Sequence, residues 1–394
     1  MKTLLTVNGG SSSLKCGLYQ VNQEGLENLC VVKLGNLLGD GVRFSAADAQ
    51  GNPLDTRTLD MGDCGREQRH QAALNEVLNW LQVQYPGHEL IATGHRIVHG
   101  GNDFSQPVLM TDETSSQLLQ FIPLAPLHQP YNLKLIEAIK NLLPSLPAVG
   151  CFDTMFHTSQ SRLERLYAIP KHLTDEGVTK YGFHGLSYEF ILHQLQQMDS
   201  SQLKTVVCHL GAGASMCAIS DEKSVASSMG FTAVEGLPMG SRCGNIDPGV
   251  ILYLMREYAM DIDAIEKLLY KESGWFGVSG GISSDMLELH KAGHPDAEEA
   301  IDLFCLRIAE EAGRLAAAMG GIEQIVFTGG VGENDADVRS RVIERCRWLG
   351  AELDSEANQK NALIINTDSS ALALRVIPTD EEMMIAMHTL SKIN

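Results

Sequence analysis

The sequence is short of basic residues. It has 30 Lys and Arg against 49 Asp and Glu, which gives a formal net charge of −19 at pH 7. Nucleic acids and anionic membranes carry dense negative charge, so this excess of acid argues against both as partners. A phosphorylated ligand would therefore need a pocket that is locally basic.

Long apolar runs and low-complexity segments are also missing, and we expect no secretory leader. No apolar run approaches about 18 residues, so we expect no transmembrane helix. A single Lys precedes the first predicted strand, which is unlike the start of a signal peptide. Nine cysteines without a C-x-x-C pair are typical of reduced thiols, and these features together predict a cytoplasmic protein.

A glycine- and serine-rich turn lies near the N-terminus, within residues 4–19. Apolar runs on both sides predict strand, turn, strand. The N–H and O–H donors of Ser11, Ser12 and Ser13, with the ammonium group of Lys15, would suit an anion such as phosphate. Taken alone, this stretch is better explained as an ordinary hairpin with no ligand.

Two further glycine-rich turns follow predicted strands. Residues 205–219 repeat the apolar run, turn and apolar run of the N-terminus, which suggests a duplicated domain. The third turn, 329–334, follows the apolar stretch 325–328. None of the three completes a Walker A loop or a Rossmann fingerprint. Three such turns in one chain favour a nucleotide cradle, because phosphates, ribose and base each need close backbone approach.

Strand and helix patterns alternate along the 394 residues, which are enough for two or three domains. The alternation predicts an α/β fold. Helical spacing of apolar residues predicts helices at 71–84, 132–143, 297–319, 338–349 and 381–391. The stretch 90–101 is predicted to be a strand that runs into a loop. Apolar runs predict further strands at 148–153 and 371–377, and a proline-rich loop is expected at 123–130.

Several side chains invite a catalytic or metal-binding interpretation. The G-x-S-x-G stretch at 277–281 lacks the strand and helix of a nucleophile elbow, so we expect a loop and no hydrolase. Arg96 and Arg242 each lie in a glycine-rich loop, where an arginine can clamp an anion or form a surface ion pair. Hydrogen-bonding roles are the default for six histidines without metal-ligand spacing, at 95, 99, 128, 157, 184 and 209.

Taken together, the motifs resemble the acetokinase family of the sugar kinase/actin/Hsp70 superfamily. The matching segments are 7–15, 94–101, 124–128, 152–157, 181–185, 228–232, 235–242, 329–334 and 378–382. The resemblance implies duplicated actin-like ATPase (ribonuclease H-like) domains with a cleft between them. The N-terminal domain would span 1–152 and include the terminal helix 381–394. The C-terminal domain, 153–380, would hold the nucleotide site and a dimer interface.

The resemblance also implies a reaction. It is the reversible in-line transfer of the ATP γ-phosphoryl group to acetate, which gives acetyl phosphate and ADP, with Mg²⁺ or Mn²⁺. A carboxylate has a pKa near ~4–5 and is ionised at pH 7, so the nucleophile needs no general base. It needs relief from phosphate repulsion and in-line placement. The implied protein is a cytoplasmic homodimer whose partners are small molecules: ATP and acetate or propionate.

The resemblance assigns roles to individual residues. Catalysis would depend on Arg96, Asp153, His184 and Arg242. The metal would be held by Asn8 and Glu381, with Asp153 acting through water. Acid binding would involve Arg96, Val98, Leu127, His128, Phe183 and Ala233. Nucleotide and phosphate binding would involve Ser11, Ser13, Lys15, His209, Leu210, Gly211, Ala212, Gly213, Asp285, Met286, Leu287, Gly330, Val331 and Asn334.

Four positions depart from the family pattern. Ala212 and Leu287 replace an Asn and an Arg at the nucleotide, which bears on nucleotide affinity and donor identity, and Gln129 replaces an Asn. Ala233 replaces a Pro that walls the acyl pocket. A buried CH₂ is worth about 0.8 kcal/mol, so a wider pocket could favour propionate. The alternatives are therefore a propionate-preferring kinase, a kinase with another phosphoryl donor, and an ATP-switched binding protein of the actin or Hsp70 kind.

Overall fold

The structure, a computed structural model, describes residues 1–10, 12–39, 41–61, 64–65, 68–126 and 128–394. Two predicted site residues, Ser11 and Leu127, lie outside the described residues. The strands are β1 (Lys2–Gly9), β2 (Ser13–Asn22), β3 (Gly25–Gly35), β4 (Val42–Asp48), β5 (Pro53–Leu59), β6 (Glu89–Ile97), β7 (Val108–Leu109), β8 (Ala148–Phe152), β9 (Thr205–His209), β10 (Ser215–Ser220), β11 (Lys223–Ser227), β12 (Gln324–Thr328) and β13 (Ala373–Val376).

Helices account for about half of the remaining chain. The α-helices are α1 (Arg69–Gln84), α2 (Asp112–Leu119), α3 (Gln129–Leu142), α4 (Arg162–Arg165), α5 (Lys171–Asp175), α6 (Gly185–Gln197), α7 (Pro248–Glu257), α8 (Ile262–Lys271), α9 (Gly274–Val278), α10 (Met286–Ala292), α11 (Pro295–Met319), α12 (Gly329–Asn334), α13 (Ala336–Arg345), α14 (Ser355–Gln359) and α15 (Glu381–Ile393). Short 3₁₀ turns cover Ile122–Leu124, Met155–Ser159 and Arg347–Leu349.

The chain divides into two compact units. The first comprises Met1–Met155 and Asp380–Asn394, and the second comprises Phe156–Thr379. The first unit contains an eight-stranded sheet in the order β5-β4-β3-β2-β1-β6-β8-β7. The second contains a five-stranded sheet in the order β11-β10-β9-β12-β13.

The two sheets share one arrangement of five strands. In the first unit β3, β2 and β1 are antiparallel neighbours, and β1, β6 and β8 are parallel neighbours. In the second unit β11, β10 and β9 are antiparallel, and β9, β12 and β13 are parallel. The duplication predicted from the two glycine-rich hairpins is therefore confirmed, as is the α/β class.

The first sheet is covered on both faces. Alternate residues of β1 point to opposite sides, so Leu5 and Val7 join the core under α1 and α3, while Leu4 packs with Ala386 of α15. The helix α15 approaches closely, because a Cβ added at Gly94 of β6 would lie 2.1 Å from Thr389 Oγ1. This packing fixes the N-terminus of α15 and its acidic residues.

The second unit is built around α11. Its buried residues recur at helical spacing and include Phe304, Ile308 and Leu315, as expected for a helix that packs on a sheet. The helix ends at Gly320, whose φ of 65° is left-handed. The predicted glycine C-cap is confirmed, since glycine adopts this conformation without a steric penalty.

Several local predictions were wrong. The third glycine-rich turn is the helix α12, which is fixed by tertiary contacts: Val331 and Gly332 donate backbone N–H groups to the Leu210 carbonyl at 2.9 and 3.1 Å. The first two residues of the expected loop at 277–281 belong to α9. The loop expected at 123–130 contains a 3₁₀ turn and the start of α3.

The other predicted elements are confirmed with shifted ends. The predicted helix 338–349 stops at Arg345 and continues as a 3₁₀ turn closed by Gly350, whose φ is 92°. None of the helices in the described part of the chain combines the length and the apolar character that a membrane crossing requires.

Candidate active site

Three neighbouring strands of the first unit bring polar side chains to one edge of the sheet. Asn8 lies on β1, and Asp153 directly follows β8. Arg96 lies on β6, so the glycine-rich loop expected for it was wrong: the strand continues to Ile97 before the glycines begin. Because these parallel strands are adjacent, their carboxyl ends meet. Arg96 Nε donates to both Asp153 oxygens at 2.9 and 3.1 Å, and Nη2 donates to Oδ2 at 2.6 Å. Arg96 Nη1 donates to Asn8 Oδ1 at 3.2 Å.

The Arg96–Asp153 pair is well shielded from water. The Asp153 side chain is 2% exposed and the Arg96 side chain is 19% exposed. Burial lowers the pKa of Arg96, but the adjacent Asp153 and Glu381 carboxylates outweigh it and raise the pKa above its usual value. These bonds engage three of the five N–H groups of a guanidinium, which leaves capacity for a further anion.

A carboxylate that the sequence reasoning missed orients two predicted site residues. Glu382 Oε1 accepts from Asn8 Nδ2 at 3.0 Å, and Oε2 accepts from Lys15 Nζ at 2.5 Å. The Glu382 side chain is 3% exposed, whereas that of Lys15 is 40% exposed. The acidic run 380–382 at the start of a helix was the only sequence signal for this contact.

The start of α15 is also a place where a cation would be stabilised. Burial raises the pKa of Glu381 to about 7, with Arg96 opposing and Asp153 adding to the effect. Burial likewise raises the pKa of Asp380. A carboxylate that is costly to ionise gains from a nearby divalent cation.

The oxygen atoms available near the start of α15 are of the kind that Mg²⁺ prefers. Carboxylate and amide oxygens such as those of Glu381 and Asn8 are hard ligands. Across the described residues, no group of three His, Cys, Asp or Glu side chains could by itself hold a metal ion. Mg²⁺ usually keeps several waters and takes one or two carboxylates plus substrate phosphates, so a sparse protein contribution suits it.

Two buried amides on α3 hold the chain that follows Arg96. Asn132 Oδ1 accepts from the Val98 backbone N–H at 3.1 Å, and its Nδ2 donates to the Gly9 carbonyl at 2.9 Å. Gln129 Oε1 accepts from the His99 N–H at 3.2 Å, and its Nε2 donates to the His99 carbonyl at 3.0 Å. The departure from Asn to Gln at position 129 therefore keeps a backbone-binding amide.

Three other predicted residues of the first unit lie nearby in the fold. Val98 is buried just after β6, His128 is half-buried immediately before α3, and Ser13 is exposed at the start of β2. The turn before Ser13 is tight, because the Gly10 N–H donates to the Ser13 carbonyl at 2.8 Å.

Two histidines of the second unit stack on each other. The rings of His184 and His209 have centroids 4.4 Å apart. His184 Nδ1 lies 2.8 Å from Ser215 Oγ, and His209 Nδ1 lies 2.8 Å from Ser187 Oγ. His184 precedes α6 with a left-handed φ of 56°. Non-glycine residues are rarely held in this region, and they cluster at functional sites.

The second predicted arginine lies beside His184. A Cβ added at Gly213 would lie 3.6 Å from His184 Nε2 and 3.8 Å from Arg242 Nη1. Arg242 Nη1 donates to the Ala233 carbonyl at 3.0 Å. Phe183 is buried and directly precedes His184. The structure therefore brings five predicted residues together around the β9–β10 turn: Phe183, His184, Gly213, Ala233 and Arg242.

A cavity of about 660 Å³ adjoins the same turn. Its lining includes eight of the predicted nucleotide residues: Gly211, Ala212, Asp285, Met286, Leu287, Gly330, Val331 and Asn334. Of the other predicted nucleotide and phosphate residues, His209, Leu210 and Gly213 lie on the β9–β10 hairpin next to this lining. Ser13 and Lys15 belong to the first unit and do not line this cavity. Leu287 is 60% exposed, so the position where the family has Arg presents an apolar side chain.

The remaining lining residues were missed by sequence reasoning. They are Trp275, Ser284, His290, Asp335, Ala336, Asp337 and Gln359. His290 Nε2 lies 2.8 Å from Asp335 Oδ2. Ser284 and Asp335 adjoin predicted residues in sequence and could have been inferred, but nothing in the sequence points to Trp275 or Gln359.

Known proteins resemble this chain over nearly its whole length. The sequence matches the acetokinase family over residues 3–387. An acetate kinase of Methylocella silvestris is 46% identical over 100% of this chain and 98% of that protein, and one of Rhodopseudomonas palustris is 46% identical over 98% and 97%.

Solved structures of similar proteins also cover the full length. The Porphyromonas gingivalis acetate kinase superposes with a TM-score of 0.88 at 36% identity, and a Francisella tularensis propionate kinase superposes with 0.91 at 31%. Each pairing covers 100% of both chains.

Fold and site together define a class, the phosphotransferases built on a duplicated actin-like ATPase fold. Within that class the relatives act on a carboxyl group. The chain belongs to the acetokinase family.

Proposed function

We propose that this protein is an acetate kinase, which reversibly transfers the γ-phosphoryl group of ATP to acetate and produces acetyl phosphate and ADP. One observation carries the proposal: in a chain of the acetokinase family, eight predicted nucleotide residues line a single cavity beside His184 and Arg242. A cavity of about 660 Å³ is within the range of small-molecule sites.

The two arginines are proposed to hold the acetate carboxylate and the phosphoryl group in transfer. The planar fork of a guanidinium binds both kinds of anion bidentately, and Asp153 fixes the plane of Arg96. His184 would donate from Nε2 to the charge that develops on the phosphoryl oxygens. The acetate is already ionised, so these residues supply orientation and charge stabilisation and need not remove a proton.

Mg²⁺ would be held by Asn8 and Glu381, with Asp153 acting through water, and would supply charge neutralisation to the nucleotide phosphates. Lys15 and Ser13 would supply further donors at the same end. The buried contacts of Glu382 with Asn8 and Lys15 support this proposal, because they orient both side chains before any ligand binds.

Propionate is the second candidate acid. One observation favours it: Ala233 stands where the family has a Pro that walls the acyl pocket, and a smaller wall leaves room for another methylene. The likeness to a propionate kinase agrees with this alternative. A pocket of this kind separates acids by one methylene only about 10- to 200-fold, so both acids are expected as substrates.

Acyl phosphate formation tests the proposed function. The purified protein is incubated with ATP, Mg²⁺ and acetate, propionate or butyrate, and acyl phosphate is trapped as hydroxamate. We expect signal with acetate and a lower kcat/KM for propionate. A higher kcat/KM for propionate would select the alternative, and no signal with any acid would refute a carboxylate kinase. An ATP hydrolysis rate that does not depend on the presence of a carboxylic acid would favour an ATP-switched binding protein.

A donor panel is run with the same assay. ATP is replaced by GTP or by pyrophosphate at equal concentration. The cavity is sized for a nucleoside and its lining retains Gly330, Val331 and Asn334, so ATP is expected to be the best donor. Equal or faster turnover with pyrophosphate would contradict this.

We further propose a homodimer formed through α7 of the second unit. All residues of this fully described helix are at least partly exposed, and Val250, Leu252, Tyr253 and Met255 are each at least 40% exposed. An apolar surface of this kind is typical of an interface. Light scattering should give twice the chain mass, and Tyr253→Glu should give a monomer. Val83→Glu, at an exposed valine of α1, is the matched control and should stay dimeric.

We place the reaction in the cytoplasm. All nine cysteines are free, and seven of them are buried. Reduced thiols are the rule in that compartment. Fractionation of cells that produce the untagged protein tests the assignment.

A further inference from the structure

A loop of the second unit, residues 230–236, is anchored at both ends. The carbonyl of Gly230 accepts from the Tyr181 backbone N–H at 3.0 Å. At the other end, the Gly236 N–H donates to Asn245 Oδ1 at 2.9 Å. We call this segment the 230–236 loop. Its middle residues depend on other contacts for their position.

The Tyr167 hydroxyl supplies two of those contacts. It accepts from the Phe231 backbone N–H at 2.9 Å and donates to a carboxylate oxygen of Glu235. Lys180 Nζ lies 3.7 Å from the other Glu235 oxygen and 5.6 Å from the centre of the Tyr167 ring. One hydroxyl therefore binds both sides of the loop.

The packing around this hydroxyl is close. A Cβ added at Gly230 would lie 1.9 Å from Glu235 Oε2 and 2.2 Å from Tyr167 Oη. Burial, reinforced by the Glu235 carboxylate, raises the pKa of Tyr167, so the hydroxyl keeps its proton at neutral pH. The arrangement is a half-buried network in which the hydroxyl, the ammonium group and the carboxylate all have partners, and a satisfied network of this kind favours a single loop conformation.

The loop carries Ala233, and the Ala233 carbonyl accepts from Arg242 Nη1 at 3.0 Å. Any movement of the loop would move both the carbonyl that holds Arg242 and the Ala233 methyl group. We propose that Tyr167 is a positioning residue that sets the acyl-chain selectivity of the enzyme, because its hydroxyl fixes the 230–236 loop. This inference rests on the proposed function, in which Arg242 and Ala233 meet the acid.

Tyr167→Phe tests the inference, because it removes the hydroxyl and keeps the ring. Loss of hydrogen bonds of this kind shifts the equilibrium between the fixed and the displaced loop by about fivefold or more. Because the fixed loop positions Arg242, KM for acetate should rise by about that factor or more. The kcat/KM ratio of propionate and butyrate to acetate should also rise, because a mobile loop admits longer chains. The Kd for ADP should stay within about twofold, since neither Tyr167 nor the loop lines the nucleotide cavity.

Two further variants separate positioning from a general loss of stability. Glu235→Gln keeps an oxygen that can accept from Tyr167, so it should retain most of the selectivity. Tyr181→Phe is the matched control, because the Tyr181 hydroxyl donates to the Gly177 carbonyl at 2.7 Å, outside the loop. It should lower the thermal midpoint and leave the acid selectivity unchanged.

The outcomes are distinct. If wild-type protein turns over acetate while Tyr167→Phe changes only the thermal midpoint, the inference is overturned. An equal rise in the KM values for acetate and ATP would overturn it too, because that points to general loosening. A wild-type protein that turns over no carboxylate would refute the proposed function itself.

Discussion

The guanidinium of Arg96 and the carboxylate of Asp153 lie side by side, joined by contacts of 2.6, 2.9 and 3.1 Å. The pair spans two neighbouring parallel strands, since Arg96 belongs to β6 and Asp153 follows β8. A bidentate contact fixes the plane of the guanidinium as well as its distance. The orientation of Arg96 towards any bound anion is therefore set by a residue of another strand.

Asp153→Asn is predicted to lower kcat strongly. The Asn side chain has one oxygen instead of two and carries no charge, so it cannot accept from both Nε and Nη2 as the carboxylate does. The guanidinium plane of Arg96 is then no longer fixed. Removal of one preorganised electrostatic contact usually costs roughly 10²–10³ in rate. Steady-state kinetics with saturating ATP and acetate give kcat, and a titration gives the Kd for ADP, which should change little because Asp153 is outside the nucleotide cavity.

A control for this variant comes from an exposed ion pair of the same unit. Arg57 Nη2 lies 2.6 Å from Glu76 Oε1, with side chains 40% and 35% exposed. Such pairs contribute about 0–1 kcal/mol, so Glu76→Gln should leave both kcat and stability near wild type. Comparable kcat values for Asp153→Asn and Glu76→Gln would contradict the role given to Asp153.

The edge of the first sheet shows how far sequence alone can reach. Asn8, Arg96 and Asp153 each lie at the carboxyl end of a recognisable apolar strand, and parallel strands bring such ends together. Strand prediction is compatible with their contact, but only the family resemblance grouped these three residues in the sequence. The bond between Asn8 and Glu382 could not be predicted, because it depends on how α15 docks on the sheet, 374 residues away along the chain.

The nucleotide cavity shows the same limit. Glycines such as Gly211 and Gly330 allow a ligand to approach the backbone closely, so their place in a nucleotide site could be predicted. Trp275 and Gln359 reach the lining through the packing of α9 and α14, which local patterns do not encode. The glycine-rich stretch Gly329–Asn334 forms a helix despite its low intrinsic propensity, because contacts to the Leu210 carbonyl override it.

Ala212→Asn is predicted to strengthen nucleotide binding. Ala212 lines the cavity, and its carbonyl is already used by the Gly240 N–H at 3.1 Å, so a new side chain need not disturb the backbone. An added amide donor near a phosphate is worth about 1 kcal/mol, roughly fivefold in Kd. Calorimetric titration with ADP measures the change.

Ala212→Ser is the graded comparison, since its shorter donor should give a smaller gain. KM for acetate should be unaffected in both variants. If Ala212→Asn weakens ADP binding or raises the acetate KM instead, the residue does not stand beside the phosphates as predicted.

Ala233→Pro is predicted to increase the preference for acetate. The ring adds carbon to the wall of the proposed acyl pocket, and the carbonyl that holds Arg242 is kept. At about 0.8 kcal/mol per methylene, the kcat/KM ratio of acetate to propionate should rise by roughly fourfold. Parallel assays with the two acids give this ratio, and a ratio that falls or stays constant would remove Ala233 from the acyl wall.

Buried histidines are predicted to make the protein acid-sensitive. Burial lowers the pKa values of His99 and His157 to about 4 and that of His95 to about 3. An unfolded histidine has a pKa near ~6.5, so below this pH the unfolded state binds more protons and stability falls as pH drops towards 4. Glu381 acts in the opposite sense, because its raised pKa favours the folded state as pH falls below about 7.

His157→Asn isolates one histidine from these opposing effects. In the wild type, His157 Nε2 donates to the Phe183 carbonyl at 2.9 Å and Nδ1 lies 2.8 Å from Ser224 Oγ. Burial lowers the pKa of the ring and outweighs the Phe183 carbonyl, which favours the protonated form. Between pH 7.5 and pH 5 this residue should account for about 2 kcal/mol of lost unfolding free energy. Guanidinium denaturation at both pH values should therefore show a smaller difference for the variant, even though it is less stable at pH 7.5. An unchanged difference would mean that His157 is not held neutral in the folded protein.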